Sequence, residues 1–402
     1  MKPLENEISS ELVGLHALNF SFGNDSSARS VMFASHFSQR LINDKSDQKI
    51  IQTGLEYELA KYTFDIKMPE DGVILKIIER YPSNITVDNI AFNPETIVIY
   101  EDNHTKELGY FSIPHHLSHH QHFGYRLVFT EAISSLIPGQ QISKGTVFAH
   151  SPSVADNGSF KYGNNFNVAF MSHPAVSEDG ILISESAINK LEFSIFETRV
   201  VEFGSGHYPL NIYGTLSNYK AFPEIGEEIR EDGILMMLRK ADVNMSPVDL
   251  SVYDTMEPDM IFDTAYYARG PKGVITDIKV YKDDNAASSL PDNMTSNIQK
   301  YVKALRNYHN EIVMTEAMLR KTRISKYGRD NLSISPTLHR LLVESLAILN
   351  KTSKKYTQKL NLLYRKAQLN EYRVVFTIEY RVKPTIGFKA SDIHGGASVC
   401  IS

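Results

Sequence analysis

Hydrophobic and polar positions along this chain follow two rhythms. The two-residue rhythm is clearest within residues 156–186, where Phe166, Val168 and Phe170 alternate with Asn167, Ala169 and Met171, the pattern of a half-buried strand. Turn signals at Asn157-Gly158, Gly163 and Asp179-Gly180 bracket this run and a second, Ile181-Leu182-Ile183, expected to re-enter the core. Pro174 forces an extended loop between them, and Ser184 can cap a short helix holding Ile188 and Leu191. Over residues 62–128 the segments TFDIKM, GVILKII, ITVDNIAF, ETIVIYED and LGYFSI predict short strands separated by Gly, Pro and Asn turns. Residues 223–240 and 270–281 are strand-rich, and residues 373–382 place Val374, Phe376, Ile378 and Tyr380 on one face.

The helical rhythm governs residues 1–42, where Ile8, Leu12 and Leu15 recur at helical spacing. Asn24-Asp25-Ser26-Ser27 supplies a break and an N-cap. The following SARSVMFASHFSQRL sets Arg29, Met32, His36 and Gln39 near one helix face. Further on, Ile298, Tyr301, Leu305, Tyr308, Ile312 and Leu319 mark an amphipathic helix. A basic turn with Lys321, Arg323, Lys326, Gly328 and Arg329 is expected next, and Pro336 starts a second helix. Leu342, Leu346, Leu349, Ser353, Tyr356, Leu360 and Leu363 then alternate by four and three as a heptad seam. The two helices are expected to form an internal antiparallel pair, with an outer face of Lys351, Lys354, Lys355, Lys359, Arg365 and Lys366.

Composition narrows the class. A chain of 402 residues, 42% hydrophobic and 22% charged, allows two or three folded domains. A net charge of −5 suits local contact with nucleic acid, or one wall of a channel shared with partners, better than an independent grip on phosphates. The single cysteine, Cys400, excludes an internal disulfide framework and fits a reducing compartment. The charged N-terminus lacks the apolar core of a signal peptide. No apolar run approaches the roughly 18 residues of a membrane span, so a soluble intracellular protein with no membrane partner is expected.

Three groups carry candidate chemistry. Taken alone, the adjacent carboxylates Glu178 and Asp179 describe a solvated turn. Arg29, in the first turn of a helix, opposes the helix dipole at a cost of roughly a few tenths of a kcal/mol unless an anion is near; the other reading is a surface Arg paired with Asp25. His115, His116, His119, His120 and His122 have spacings that can share a metal ion, but no Asp, Glu or Cys accompanies them, and a polar loop is the alternative.

The order of these residues adds a resemblance. GxNxxVAFM from Gly163, a short loop and EDGILISE from Glu178 resemble the active-centre segment of the β subunit of multisubunit DNA-dependent RNA polymerase. Ser172-His173 stands in place of the family's Trp, and the loop is one residue short before Glu178. Asp25, Arg29, Met32 and Gln39 fit the family's Asp-x-x-x-Arg-x-x-Met and the Gln ten residues after the Arg, with Ser35 replacing an Asn. Gln52-Thr53-Gly54-Leu55-Glu56 matches a Thr-Gly-Met-Glu turn, and SKGTVFAHSPSVADNG matches the lead-in to the first motif. KPTIGFKASDIHGG resembles the Gly-Asp-Lys-x-x-x-x-His-Gly-Asn-Lys-Gly loop through Lys389, His394 and Gly395; Ala397 occupies the second Lys position, and residues 397–402 look foreign to the pattern.

The resemblance implies the C-terminal half of such a subunit, of a divergent, split, phage-encoded type. The implied fold is mixed α/β and β-rich, an incomplete double-psi β-barrel with a flap-like α/β insertion containing a helical hairpin. Its parts would be a helical active-centre segment (1–60), a β-rich domain (61–130), the first part of the barrel (131–186), the flap-like insertion (187–371) and a truncated barrel continuation (372–402). The implied reaction is template-directed nucleotidyl transfer. Glu178 and Asp179 would stand by the second Mg²⁺, directly or through water. Lys389 would neutralise phosphate near the RNA 3′ end, and Arg29, with Met32, Gln39 and His394, would bind the nucleoside triphosphate. No Asp-x-Asp-x-Asp triad is present, so the principal Mg²⁺ would come with a β′-like subunit. Other implied partners are further β fragments, a promoter-specificity factor, DNA template and RNA transcript, in the cytoplasm of an infected cell or packaged in a virion. The foreign end fits either a naturally split subunit or a first exon read into an intron. The rival class is a non-catalytic virion or assembly protein that keeps the β-subunit fold, and a third is a His-cluster metalloprotein.

Overall fold

In a computed structural model the chain is described over residues 14–81, 93–120, 123–176, 178–204, 206–215, 217–240, 262–283, 292–328, 332–349, 363–364, 367–368 and 371–401. After a 3₁₀ turn (Gly14–Leu18) comes helix α1 (Ser27–Ser38), with Ser26 as its N-cap: the side chain of Ser26 accepts a hydrogen bond from the Arg29 amide. Phe33 and Phe37 on its inner face join Leu18, Phe160 and Tyr162 in a small aromatic core. Helix α2 (Glu56–Ala60) begins at the Thr-Gly-Leu-Glu turn, where the buried Glu56 carboxylate accepts from the Thr53 and Gly54 amides. Ile8 and Leu12 lie outside the described residues.

Among the described residues nine short strands follow: β1 (Asp65–Lys67), β2 (Gly72–Glu79), β3 (Glu95–Asp102), β4 (Leu108–Pro114), β5 (His116–His120), β6 (Phe123–Arg126), β7 (Val128–Phe129), β8 (Gln141–Ile142) and β9 (Val147–His150). They pair antiparallel in the orders β4-β3-β2-β8, β1-β9-β7 and β5-β6, over a core that includes Ile74, Val98, Ile113 and Phe148. Four of the five strands expected over residues 62–128 are present; ITVDNIAF lies outside the described residues. SKGTVFAH does form a strand, β9, and its neighbours are β1 and β7.

Next come β10 (Gly180–Ile181), helix α3 (Glu185–Ile188), β11 (Phe193–Phe203), β12 (His207–Pro209), β13 (Ile234–Lys240), β14 (Phe262–Tyr267) and β15 (Val274–Lys282). Helices α4 (Asp292–Tyr327) and α5 (Pro336–Ile348) precede β16 (Leu363–Tyr364), β17 (Ala367–Gln368), β18 (Tyr372–Val382), β19 (Lys389–Ser391) and β20 (Ala397–Cys400). Strand β18 pairs antiparallel with β11 from Phe193↔Val382 to Phe203↔Tyr372 and with β15 on its other edge. Val374, Phe376 and Ile378 face the core as their alternation predicts. The chain is thus a β-rich mixed α/β protein.

Arg80, at the end of β2, joins these parts. Its buried guanidinium donates to Asp277 (2.5 Å), pairs with Glu95 and lies 5.3 Å from the centre of the Tyr308 ring on α4. Next to it, His309 Nδ1 is 3.0 Å from Ser345 Oγ of α5, and Ile312, Leu338 and Leu342 fill the space between the helices. The expected helix pair is therefore present.

Five local expectations are corrected. Residues 166–171 form no strand ladder: Val168 is 71% exposed, Met171 69% and Phe170 99%. Alternation marks one face as needing cover, and no described strand supplies it. Ile181-Leu182-Ile183 does not enter a core; only Gly180 and Ile181 are in a strand, and Leu182 is exposed. The histidine run is a hairpin, β5-β6, instead of a polar loop. Lys321, Arg323 and Lys326 are helical, because basic residues suit a helix C-terminus, and the turn waits for Gly328 with φ +71°. The heptad seam does not run to Leu363: α5 ends at Ile348 with Leu349 as its cap, and Leu363 is in β16. Ser353, Tyr356 and Leu360, with the basic residues beside them, lie outside the described residues.

Candidate functional site

The site is built on a three-stranded sheet in the order β10-β20-β19. Val399 of the middle strand stands opposite Gly180 in the parallel ladder and opposite Lys389 in the antiparallel one. That register brings the Glu178-Asp179 turn and Lys389 to the same small sheet although 210 residues separate Asp179 from Lys389. Residues 397–400, foreign to the sequence pattern, are therefore the strand that joins the two motifs. Cys400 is buried, and its amide donates to the Phe388 carbonyl (2.8 Å). Glu178 adopts φ +50°, a left-handed turn that presents both carboxylates to solvent.

An open cleft of about 1200 Å³ lies beside this sheet, with Gln39, Arg40, Glu178, Asp179 and Lys389 in its walls. Against it is a smaller, strongly polar recess of about 420 Å³ lined by Asp25, Arg29, Asp179, Asp392, His394 and Ser398. Asp179 belongs to both.

Helix α1 and the loop 392–396 interlock at the recess. Arg29 Nη1 donates to the Gly395 carbonyl (3.2 Å) and lies 4.0 Å from Met32 Sδ. His394 Nδ1 is 3.2 Å from Asp25 Oδ2 and 3.0 Å from Ser21 Oγ. Asp25 also accepts from Nδ2 of the Asn19 side chain (2.5 Å); that bond, followed by His394 and Ser21, holds its carboxyl below the usual aspartate range. Within the loop, Asp392 Oδ1 accepts from the His394 amide (2.9 Å) and the Gly396 amide (2.8 Å). Gly395 has φ +83°, and a Cβ there would fall 2.1 Å from the Arg29 carbonyl oxygen, so only glycine fits.

Of the residues singled out from sequence, Arg29, Asp179 and His394 line the recess, while Gln39, Glu178, Asp179 and Lys389 line the cleft. Met32 lines neither and touches Arg29. Sequence reasoning missed Arg40, whose guanidinium lies over Phe37 (4.1 Å) and Phe160 (5.1 Å) and whose pKa burial pushes down to about 10. It also missed Asp392, although an Asp two residues before His394 is the usual signal for an Asx turn.

Among the described residues, no group of three or more His, Cys, Asp or Glu side chains is placed to hold a metal ion. His116 stacks on Phe196 at 4.1 Å, and burial pushes its pKa down to about 4; His115 is shifted in the same direction by the same cause. His122 lies outside the described residues.

No protein-family model matches the chain. It is 26% identical over 322 residues to the DNA-directed RNA polymerase subunit beta of Lawsonia intracellularis, covering 73% of this chain and 21% of that protein. It is 24% identical over 305 residues to the subunit of the same name from Alkaliphilus oremlandii, covering 70% of this chain and 23% of that protein. The chain spans less than a quarter of the length of either relative. Across most of its own length it is a β-subunit-like protein, distantly similar to bacterial RNA polymerase.

Proposed function

We propose that this chain is the β-subunit portion of a DNA-dependent RNA polymerase and contributes nucleotide and RNA-phosphate contacts to template-directed RNA synthesis. The observation that carries the reading is the convergence of Arg29, Asp179 and His394, from three distant segments, on one polar recess. Arg29 is the triphosphate clamp, suited by guanidinium–phosphate geometry. Lys389, across the cleft, offers a cation to phosphate at the RNA 3′ end. Gln39, the C-cap of α1, lines the same cleft, and Met32, on α1, backs Arg29.

Glu178 and Asp179 are exposed carboxylates and suit one face of a Mg²⁺ ion that keeps its waters and takes its other ligands from phosphate. Two adjacent carboxylates make no cage, so the principal ion belongs to a β′-like partner. Bound Mg²⁺ supplies charge neutralisation at the phosphates. The three-stranded sheet of β10, β19 and β20 is the part of a double-psi β-barrel that this chain contributes, and further β fragments would cover the exposed residues 166–171. The remaining partners are DNA template, RNA transcript, nucleoside triphosphates and a promoter-specificity factor, as in a phage polymerase with split subunits acting in the host cytoplasm or carried in the virion.

The test is substitution in the reconstituted complex. Glu178→Gln with Asp179→Asn, and separately Lys389→Ala, should each slow single-nucleotide addition by tenfold or more, by roughly the scale of one lost electrostatic contact. Elongation at the parental rate in both would refute the reading and leave a non-catalytic scaffold of the same fold.

A further inference from the structure

Arg29 and His394 were expected at the site from sequence; nothing there assigned a role to Asp25 beyond a local partner for Arg29. In the structure Asp25 makes no ion pair with Arg29 among the described contacts and turns to His394 instead. We infer that Asp25 is a positioning residue for nucleotide binding: it holds the His394 ring, and through it the loop 392–396, against helix α1. This rests on the polymerase reading above.

Three observations converge on it. Asp25 is fixed from behind, because Asn19, a nearly fully buried side chain, donates to the same oxygen, Oδ2, that faces His394. The imidazole is tied at Nδ1 by Asp25 and Ser21 together, so its other nitrogen, Nε2, is the polar atom left for a ligand in the recess. Gly395, the next residue, carries the carbonyl that receives Arg29, so the imidazole tie and the guanidinium contact act on adjacent residues of one loop. A carboxylate behind a functional imidazole fixes its tautomer and orientation without touching the substrate. Releasing it frees the ring and the loop together, and Arg29 loses the carbonyl that fixes its fork.

In the assembled polymerase, Asp25→Ala should raise the KM for nucleoside triphosphate about tenfold, more than it lowers kcat, the size of one lost charge-assisted hydrogen bond. Asp25→Asn, whose side-chain oxygen can still accept from Nδ1–H, should restore most of that loss. Asp25→Ala combined with His394→Ala should be no worse than His394→Ala alone, because both act through one ring. An unchanged KM in Asp25→Ala, or losses that multiply in the double variant, overturns the inference. If Asp25→Ala fails to assemble, Asp25→Asn set against His394→Ala decides alone: a KM as high as that of His394→Ala counts against it, and one near parental supports it. Arg29→Ala separates the two levels. If its KM is also parental, the nucleotide-site reading itself fails; if it rises while Asp25→Ala does not, only the role of Asp25 falls.

Discussion

Ile181 and Cys400 are partners in a parallel ladder, and the Ile401 amide extends it by donating to the Ile181 carbonyl at 3.1 Å. This is the structural link between the turn carrying Glu178-Asp179 and the segment carrying Lys389. Cys400→Asp places a carboxylate at a buried position and should cost about 3 kcal/mol or more. Hydrogen exchange should show the Ile401 and Gly387 amides opening first, since both bond within this sheet. Protection equal to the parent would show that β20 is not what holds the motifs together.

Arg29 offers a graded test. Arg29→Lys keeps the charge but loses the planar fork that reaches Gly395, and single-nucleotide addition should show a fall of about tenfold in kcat/KM. Under the proposed role Arg29→Ala should fall further, and its loss should shrink as ionic strength rises, because a contact between a guanidinium and a triphosphate would be screened.

Gly395→Ala joins a left-handed φ to a collision with the Arg29 backbone. The strain alone costs about 1 kcal/mol or more, and helix α1 and the loop must separate to relieve the contact. A lower melting temperature together with a raised KM is expected. Melting and KM both at the parental value would contradict the interlock.

Arg80→Ala leaves the buried Asp277 carboxylate without its guanidinium and should destabilise the fold by about 3–5 kcal/mol in denaturant titration. Arg80→Met with Asp277→Leu should recover much of that, because the pair then leaves together.

The pH dependence follows from His309. Burial holds its pKa down to about 3, whereas an unfolded histidine titrates near about 6.5. Between these values the unfolded chain binds the extra proton, so this contribution to stability is complete above about pH 6.5 and is lost as pH falls toward about 3. His116, held down to about 4, acts in the same direction. Stability measured from pH 7 to pH 4 should fall less steeply in His309→Gln than in the parent.

What was legible in the sequence was local. The Ser26 cap, the alternation of Val374, Phe376 and Ile378, and the amphipathic face of α4 depend on spacing alone, and each is present. The site residues came from ordered motifs, and Arg29, Asp179 and His394 do meet. Pairings across the chain were not legible. The alternation of Phe166, Val168 and Phe170 says that a face needs cover but not whether this polypeptide provides it. Residues 397–400 depart from the family motif yet satisfy a ladder, because backbone hydrogen bonds do not depend on side-chain identity. Asp25 resembled a partner for Arg29 by proximity in sequence, and the imidazole it meets instead lies 369 residues away.

The contact between Arg29 and Gly395 spans 366 residues of chain. During synthesis the helix leaves the ribosome long before Gly395 and must wait for it before its recess can close. Helix α1 rests meanwhile on Phe160 and Tyr162, which arrive far earlier. Its aromatic side can therefore be buried long before its recess side is finished. Because the closing contact has so large a sequence separation, the recess forms after the aromatic side of the helix.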